Sequence, residues 1–102
     1  MPALPVVFTR RAARQIEAAS EWWGENRPAA PDAFRDDLVG ALALIAGQPN
    51  CGAPMVSRRY RGVRRVLLVR LDHHLYYRLA PRLRQVQVLA FWHARRGSRP
   101  PL

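Results

Sequence analysis

Three histidines, His73, His74 and His93, are the side chains of this 102-residue chain whose ordinary titration lies near neutrality, so they could exchange protons in catalysis. Alongside them stand 17 arginines and no lysine. A guanidinium stays charged, but it grips phosphate and carboxylate through paired N–H donors. Such a set could help an RNA 2′-hydroxyl attack its own phosphate, which needs a base, an acid and positive charge around the phosphorus. Arg58, Arg59, Arg61, Arg64 and Arg65 meet the charge requirement. The base is harder to find, because Asp72 is the only acid after Asp37 and falls in an expected turn. A nuclease built from this chain would rely on His74, His93, Arg65 and Arg95. The plainer reading, preferred here, makes His74 a strand side chain, His73 a turn residue and His93 a polar group at a strand end. No catalytic residue is then expected. Neither is a metal site, since His73 and His74 would point to opposite faces of a strand and Cys51 stands alone. No residue pattern asks for a cofactor.

Charge is distributed unevenly. Residues 1–51 carry five Arg against six acids, whereas residues 52–102 carry twelve Arg against Asp72, so the whole net charge of +10 comes from the second half. A surface this basic expects an anionic partner. With 49% hydrophobic and 24% charged residues the chain can build a core and is not a disordered segment. Its longest run of Val, Leu and Ile, Val66 to Val69, is far too short to span a bilayer, so no membrane association is expected. One cysteine, and a start lacking a basic segment followed by an apolar stretch, point to a reducing cytoplasm.

These residues must be positioned by a small number of elements. Val6 to Phe8 reads as a strand, and Thr9 can cap the helix that follows. From Arg10 to about Asn26 the apolar Ala12, Ile16, Ala19 and Trp23 recur at spacings of four, three and four, which is one helical face. Pro28 or Pro31 suits the first turn of a second helix with Phe34, Leu38, Ala41, Leu42 and Ile45 as its buried stripe; Gly47 is placed for a left-handed cap before Pro49. Residues 48–62 read as a loop. Three strands follow, 63–71, a second with its core at 75–79, and 85–92. On the last, Val86, Val88, Ala90 and Trp92 share one face, leaving Leu89 and Phe91 on the other, which the helices are not expected to cover. Of the adjacent Tyr76 and Tyr77, one should be core and one exposed. Five chain-reversing connections would set the first and last strands antiparallel. The expectation is a single α+β domain over residues 1–102, two-layered, in the order β-α-α-β-β-β with a helical hairpin on one face of an antiparallel meander and a mobile tail at 97–102.

The order of these features resembles the RelE/ParE superfamily of toxins from type II toxin-antitoxin systems. The likeness is carried by Trp22-Trp23 near the end of the first helix, Gln48-Pro49 with Gly52 and Pro54, Val63-Arg64-Arg65-Val66, His74-Leu75-Tyr76-Tyr77-Arg78 and Trp92-His93-Ala94-Arg95-Arg96. The Tyr-Tyr-Arg strand and the closing Trp-His-x-Arg-Arg bring it nearer the ParE branch than the ribosome-dependent nucleases. That resemblance implies a bacterial growth inhibitor that binds DNA gyrase without cutting nucleic acid, and a cognate acidic antitoxin that forms a hetero-oligomer with it. Target contacts are expected at Arg58, Arg59, Arg61, Arg64, Arg65, His93, Arg95 and Arg96, and antitoxin contacts at Leu89, Phe91, Trp22 and Arg78. A RelE-type messenger-RNA endonuclease is the alternative. A plain basic nucleic-acid-binding module is the third, less favoured because no helix-turn-helix, zinc-finger or RNA-recognition signature is present.

Overall fold

The computed structural model describes residues 2–102. Strand β1 (Val6–Phe8) leads into helix α1 (Arg10–Asn26), and helix α2 (Ala33–Gly47) follows. Four strands complete the chain: β2 (Ala53–Pro54), β3 (Arg64–Leu68), β4 (His73–Ala80) and β5 (Gln85–His93).

Thr9 caps α1 as its type and place suggest, with its hydroxyl accepting from the Ala12 N–H. It also works across the fold. Beyond Phe8, β1 no longer pairs with β5, which would leave the β5 backbone without partners along that edge. The Thr9 hydroxyl donates to the Leu89 carbonyl, and Gln15 accepts from the Phe91 N–H at 2.8 Å, so α1 takes over where β1 stops. At its other end α1 is closed by Trp23, whose ring is buried and whose Nε1 donates to the Ala30 carbonyl in the connection to α2.

The second helix stops differently from the expectation. Gly47 is its last residue and has no left-handed conformation; Gln48, at φ −137° and ψ 73°, has left the helical region and donates its N–H to the Leu44 carbonyl. Pro49 disfavours the helical conformation in the residue before it, which ends the helix without a left-handed cap.

The sheet order is β1-β5-β4-β3-β2. All neighbours are antiparallel except β1 and β5, which run parallel. The expected antiparallel arrangement of the first and last strands is thereby corrected. Two residues of β2, in the segment read as loop, pair with Arg64 and Arg65 and add a sixth reversal to the chain. Strand His73–Ala80 also begins earlier than expected, so His73 lies on a strand and not in the turn.

A bulge produces the second correction. Tyr76 pairs with Ala90 and Tyr77 with Val88, so Leu89 is an extra residue in β5. The side-chain alternation shifts by one there. Val86, Val88 and Phe91 enter the main core under the helices, with Leu75, Tyr77, Phe34 and Ile45. Leu89 and Ala90 join Val63 and Tyr76 in a smaller cluster on the far face, against Met55, Tyr60, Trp92 and Leu102. Both tyrosines are buried on opposite faces, contrary to the expected split between core and surface. The segment 97–102, expected to be mobile, lies on this far face: Trp92 Nε1 donates to the Ser98 carbonyl, Pro100 is buried, and Arg11 donates to the Pro101 carbonyl.

Candidate functional site

Two concave regions mark opposite ends of α1. The larger, a groove of about 930 Å³, lies between the C-terminal half of α1, the β3–β4 turn and the end of β5. Its floor is Phe91, on which the His73 ring stacks at 4.5 Å between centroids. Its rim carries Trp22, 51% exposed, and Val69, 80% exposed. Four arginines, Arg27, Arg70, Arg95 and Arg96, surround these apolar groups. The Arg27 guanidinium sits over the Trp22 ring and Arg96 over Trp92 at 4.1 Å, so the charge is held against aromatic surface.

The β3–β4 turn and the end of β5 are locked together by Asp72. Its backbone takes the left-handed conformation, φ 55°, which aspartate tolerates in turns, and its carbonyl accepts from the Ala94 N–H. Its carboxylate accepts from Arg95 Nε at 2.8 Å and lies 3.8 Å from His93 Nε2. The Arg95 N–H donates to His93 Nδ1, which fixes the imidazole proton on Nε2, toward Asp72. Arg70 is paired as well, donating through two nitrogens to Asp37 on α2 at 2.6 and 2.9 Å. These bonds hold the Asp37 carboxyl below its ordinary range. His73 is shifted down, because burial disfavours its charged form more than the Leu71 carbonyl favours it.

The residues of the nuclease reading do not converge. His74 pairs across the sheet with Trp92, on the face opposite His73 and His93, and lies with Arg65 and Tyr76. His93 and Arg95 face the groove. The pair that does meet is His73 and His93, 5.0 Å between centroids, directly opposite each other in register. Among the described residues, no group of three or more His, Cys, Asp or Glu is placed to hold a metal.

The expected target contacts also divide. Arg58, Arg59 and Arg61 lie on the exposed loop before β3, whereas His93, Arg95 and Arg96 lie at the other end of the sheet. Between them, Arg64 is anchored to the Gly52 and Asn50 carbonyls and Arg65 to the Tyr76 hydroxyl, which makes both part of the framework. The four expected antitoxin contacts separate too. Trp22 and Phe91 belong to the groove, while Leu89 and Arg78 are on the far face, with Arg78 bonded to Gln87. Leu89 and Phe91 are 1% and 2% exposed, so neither forms the uncovered apolar face expected of it. The bulge at Leu89 is the cause: it turns Phe91 toward the helices. Gln15 and Val69 are additional groove residues. Gln15 was visible in principle as a polar residue on the Ala12–Ala19 stripe, and Val69 as the last residue of the apolar run Val66 to Val69.

A clamp supports the loop bearing Arg58, Arg59 and Arg61. The buried Tyr77 hydroxyl accepts from the Gly52 N–H at 2.9 Å and sits 3.7 Å from Cys51 Sγ. Burial, together with the Cys51 contact, pushes this phenol up to about 12. A Cβ on Gly52 would come within 2.7 Å of that hydroxyl, which is why the position requires glycine.

Residues 6–97 match the family described as the ParE toxin of the type II toxin-antitoxin system, parDE. The fold is similar to a solved chain of a chromosomal ParDE toxin-antitoxin system from P. aeruginosa, with a TM-score of 0.66 and 21% sequence identity over 89% of this chain and 96% of that one. No curated protein matches by sequence.

Proposed function

Because the chain belongs to the ParE toxin family of type II toxin-antitoxin systems, we propose that it arrests growth by binding DNA gyrase in the cytoplasm. A cognate acidic antitoxin would hold it silent as a hetero-oligomer. The family match from β1 through Gly97 is the observation that carries the reading, and the groove supplies a physical route. Trp22 and Val69 are apolar side chains left in water, each giving about 1.5–3 kcal/mol when a partner covers it. The surrounding arginines would pair with carboxylates of the same partner, which chiefly raises the association rate and its selectivity. An amphipathic acidic segment satisfies both demands. While seated it would cover Arg95 and Arg96, so antitoxin and target could not use them together.

The gyrase contact is assigned to the exposed arginines, Arg58, Arg59 and Arg61 on the loop and Arg95 and Arg96 beside His93, Arg95 remaining largely exposed although Asp72 holds its Nε. Reversing Arg95 and Arg96 to Glu should weaken inhibition of supercoiling while leaving the fold intact, since both lie beyond β5. Unchanged inhibition would remove them from the contact. One observation favours the second reading, a messenger-RNA endonuclease: His73 and His93 are neighbours, with Asp72 directing one of them. Mapping 5′ ends of message after induction separates the two. Codon-specific ends that vanish in His93→Ala would favour the nuclease, and their absence beside inhibited supercoiling would favour gyrase.

A further inference from the structure

The second concave region, at the N-terminal end of α1, shares only Arg59 with the readings above. Arg10, Arg11 and Arg14 of α1 and Arg59 of the loop line a cavity of about 290 Å³, floored by Tyr60 and Leu89. Among the described residues none of these arginines has a salt bridge to an acid, in contrast to Arg70 and Arg95 at the groove. Their placement also runs against local electrostatics. The first turn of α1 contains no acid, and the positive end of the helix dipole faces cations where an anion would be favoured. Arg59 is held in place by Ser57, whose hydroxyl accepts from the Arg59 and Tyr60 N–H groups, and by the Tyr60 ring, 5.3 Å from the guanidinium. Arg78 reaches the same ring at 5.3 Å.

We infer that this cavity binds the phosphate backbone of nucleic acid. Two neighbouring chemistries would fit the guanidiniums of Arg10, Arg14 and Arg59, with Arg11 already donating to the Pro101 carbonyl: a phosphodiester chain and an acidic peptide, and the surroundings favour the first. A peptide held with useful affinity needs apolar anchors, and those beside this cavity are already occupied, Leu89 being 1% exposed beneath Tyr60 and Leu102. What remains accessible is charge in fork geometry, which suits phosphate oxygens and reads no sequence. Arg10 and Arg14 are one turn apart, about 6 Å along the axis, so they can engage different phosphates of one strand. The inference shares only Arg59 with the gyrase reading and is measured without gyrase, so the two can fail separately.

The test is binding of the purified full chain to a labelled 12-base-pair duplex of arbitrary sequence, followed by anisotropy in rising salt. The triple change Arg10→Gln, Arg14→Gln and Arg59→Gln is compared with Arg35→Gln, Arg82→Gln and Arg99→Gln, which removes the same charge from positions lining neither concavity. The cavity variant should lose about tenfold or more in affinity near 0.1 M salt, and its log K against log salt slope should flatten by about 0.9 for each phosphate contact removed. Arg14→Gln alone should flatten it by about 0.9, which preserves the test if the triple variant folds poorly. Equal losses in the two triple variants would overturn the inference, reducing it to net charge. Absence of duplex binding by the wild-type chain would overturn it as well. So would poly-glutamate bound as tightly as the duplex and lost in the same variant, which would mark an acidic-peptide site.

Discussion

The two ends of α1 handle arginine in opposite ways. At the C-terminal end, Arg70 and Arg95 are tied to Asp37 and Asp72, and Arg27 and Arg96 lie on tryptophan rings beside exposed apolar side chains. At the N-terminal end, Arg10, Arg11, Arg14 and Arg59 crowd a small cavity whose apolar floor is already covered. One region therefore resembles a partly assembled protein interface, with anchors, a rim and internal ion pairs. The other is charge without a carboxylate partner, Arg11 donating to the Pro101 carbonyl and Arg59 lying on the Tyr60 ring. Net charge alone conceals this difference: the acids that matter are Asp37 and Asp72, and their position decides which arginines act as framework and which remain available.

The largest expected separation between the two regions comes from the groove's anchors. Changing Trp22 and Val69 together to Glu removes two contacts of about 1.5–3 kcal/mol each and should weaken antitoxin binding by at least a hundredfold in calorimetry. The Arg10, Arg14 and Arg59 variant should leave that affinity within a few-fold. If both variants weaken the antitoxin equally, the two ends form one binding surface and the distinction fails.

Next in size is the clamp beneath the arginine loop. Gly52→Ala forces a Cβ against the Tyr77 hydroxyl and should cost about 1–3 kcal/mol in denaturant unfolding. Tyr77→Phe leaves the Gly52 N–H without its acceptor and should cost a similar amount, about 1–3 kcal/mol. Either change should loosen the loop bearing Arg58, Arg59 and Arg61 while antitoxin affinity for the groove survives. A full-strength clamp after Gly52→Ala would mean that the close approach has no energetic role.

Breaking the groove's own ion pair should matter less. Asp72→Asn weakens the hold on Arg95, but that side chain is largely exposed, so the stability loss should be at most about 1 kcal/mol. The change should be clearer in nuclear magnetic resonance of His93, whose Nε2 proton loses its anionic neighbour. An unaltered His93 spectrum would show that Asp72 does not direct that ring.

Much of the fold was legible because its cues are local. The Ala12–Trp23 stripe, the Thr9 cap and the alternation of Val86 and Val88 each follow from neighbouring residues. Two features were hidden for related reasons. Strand β2 is two residues long and contains Pro54, so it carries no periodic signal, yet the reversal it adds leaves β1 and β5 parallel. The bulge at Leu89 depends on register with β4, and no property of Leu89 itself announces that Phe91 will turn inward. The arginine cavity was hidden for a third reason: it joins α1 to a loop more than forty residues away. Trp22, by contrast, was readable as lying off the center of its own helix's stripe.

The smallest effect expected is a pH dependence of stability, to which the groove's His73 contributes. Burial lowers the His73 pKa from its ordinary 6.5, so below that value the unfolded chain gains a proton that the folded one resists. Stability should be full above pH 6.5 and decline as pH falls through the interval between the unfolded and folded values. His74 is also shifted down and adds to the slope. Asp37, lowered by Arg70, contributes in a separate window, with stability present above about 3.8 and lost as pH falls below it. Denaturant midpoints from pH 7.5 to 5.5 should therefore fall less in His73→Gln than in wild type; an unchanged decline would assign it elsewhere.

Gyrase supercoiling of relaxed plasmid in the presence of the purified chain tests the central claim most directly. The account predicts inhibition that is reversed by the antitoxin, weakened by Arg95→Glu with Arg96→Glu, and accompanied by no codon-specific cleavage of translated message. Undiminished supercoiling, together with message cleavage abolished by His73→Ala or His93→Ala, would contradict it.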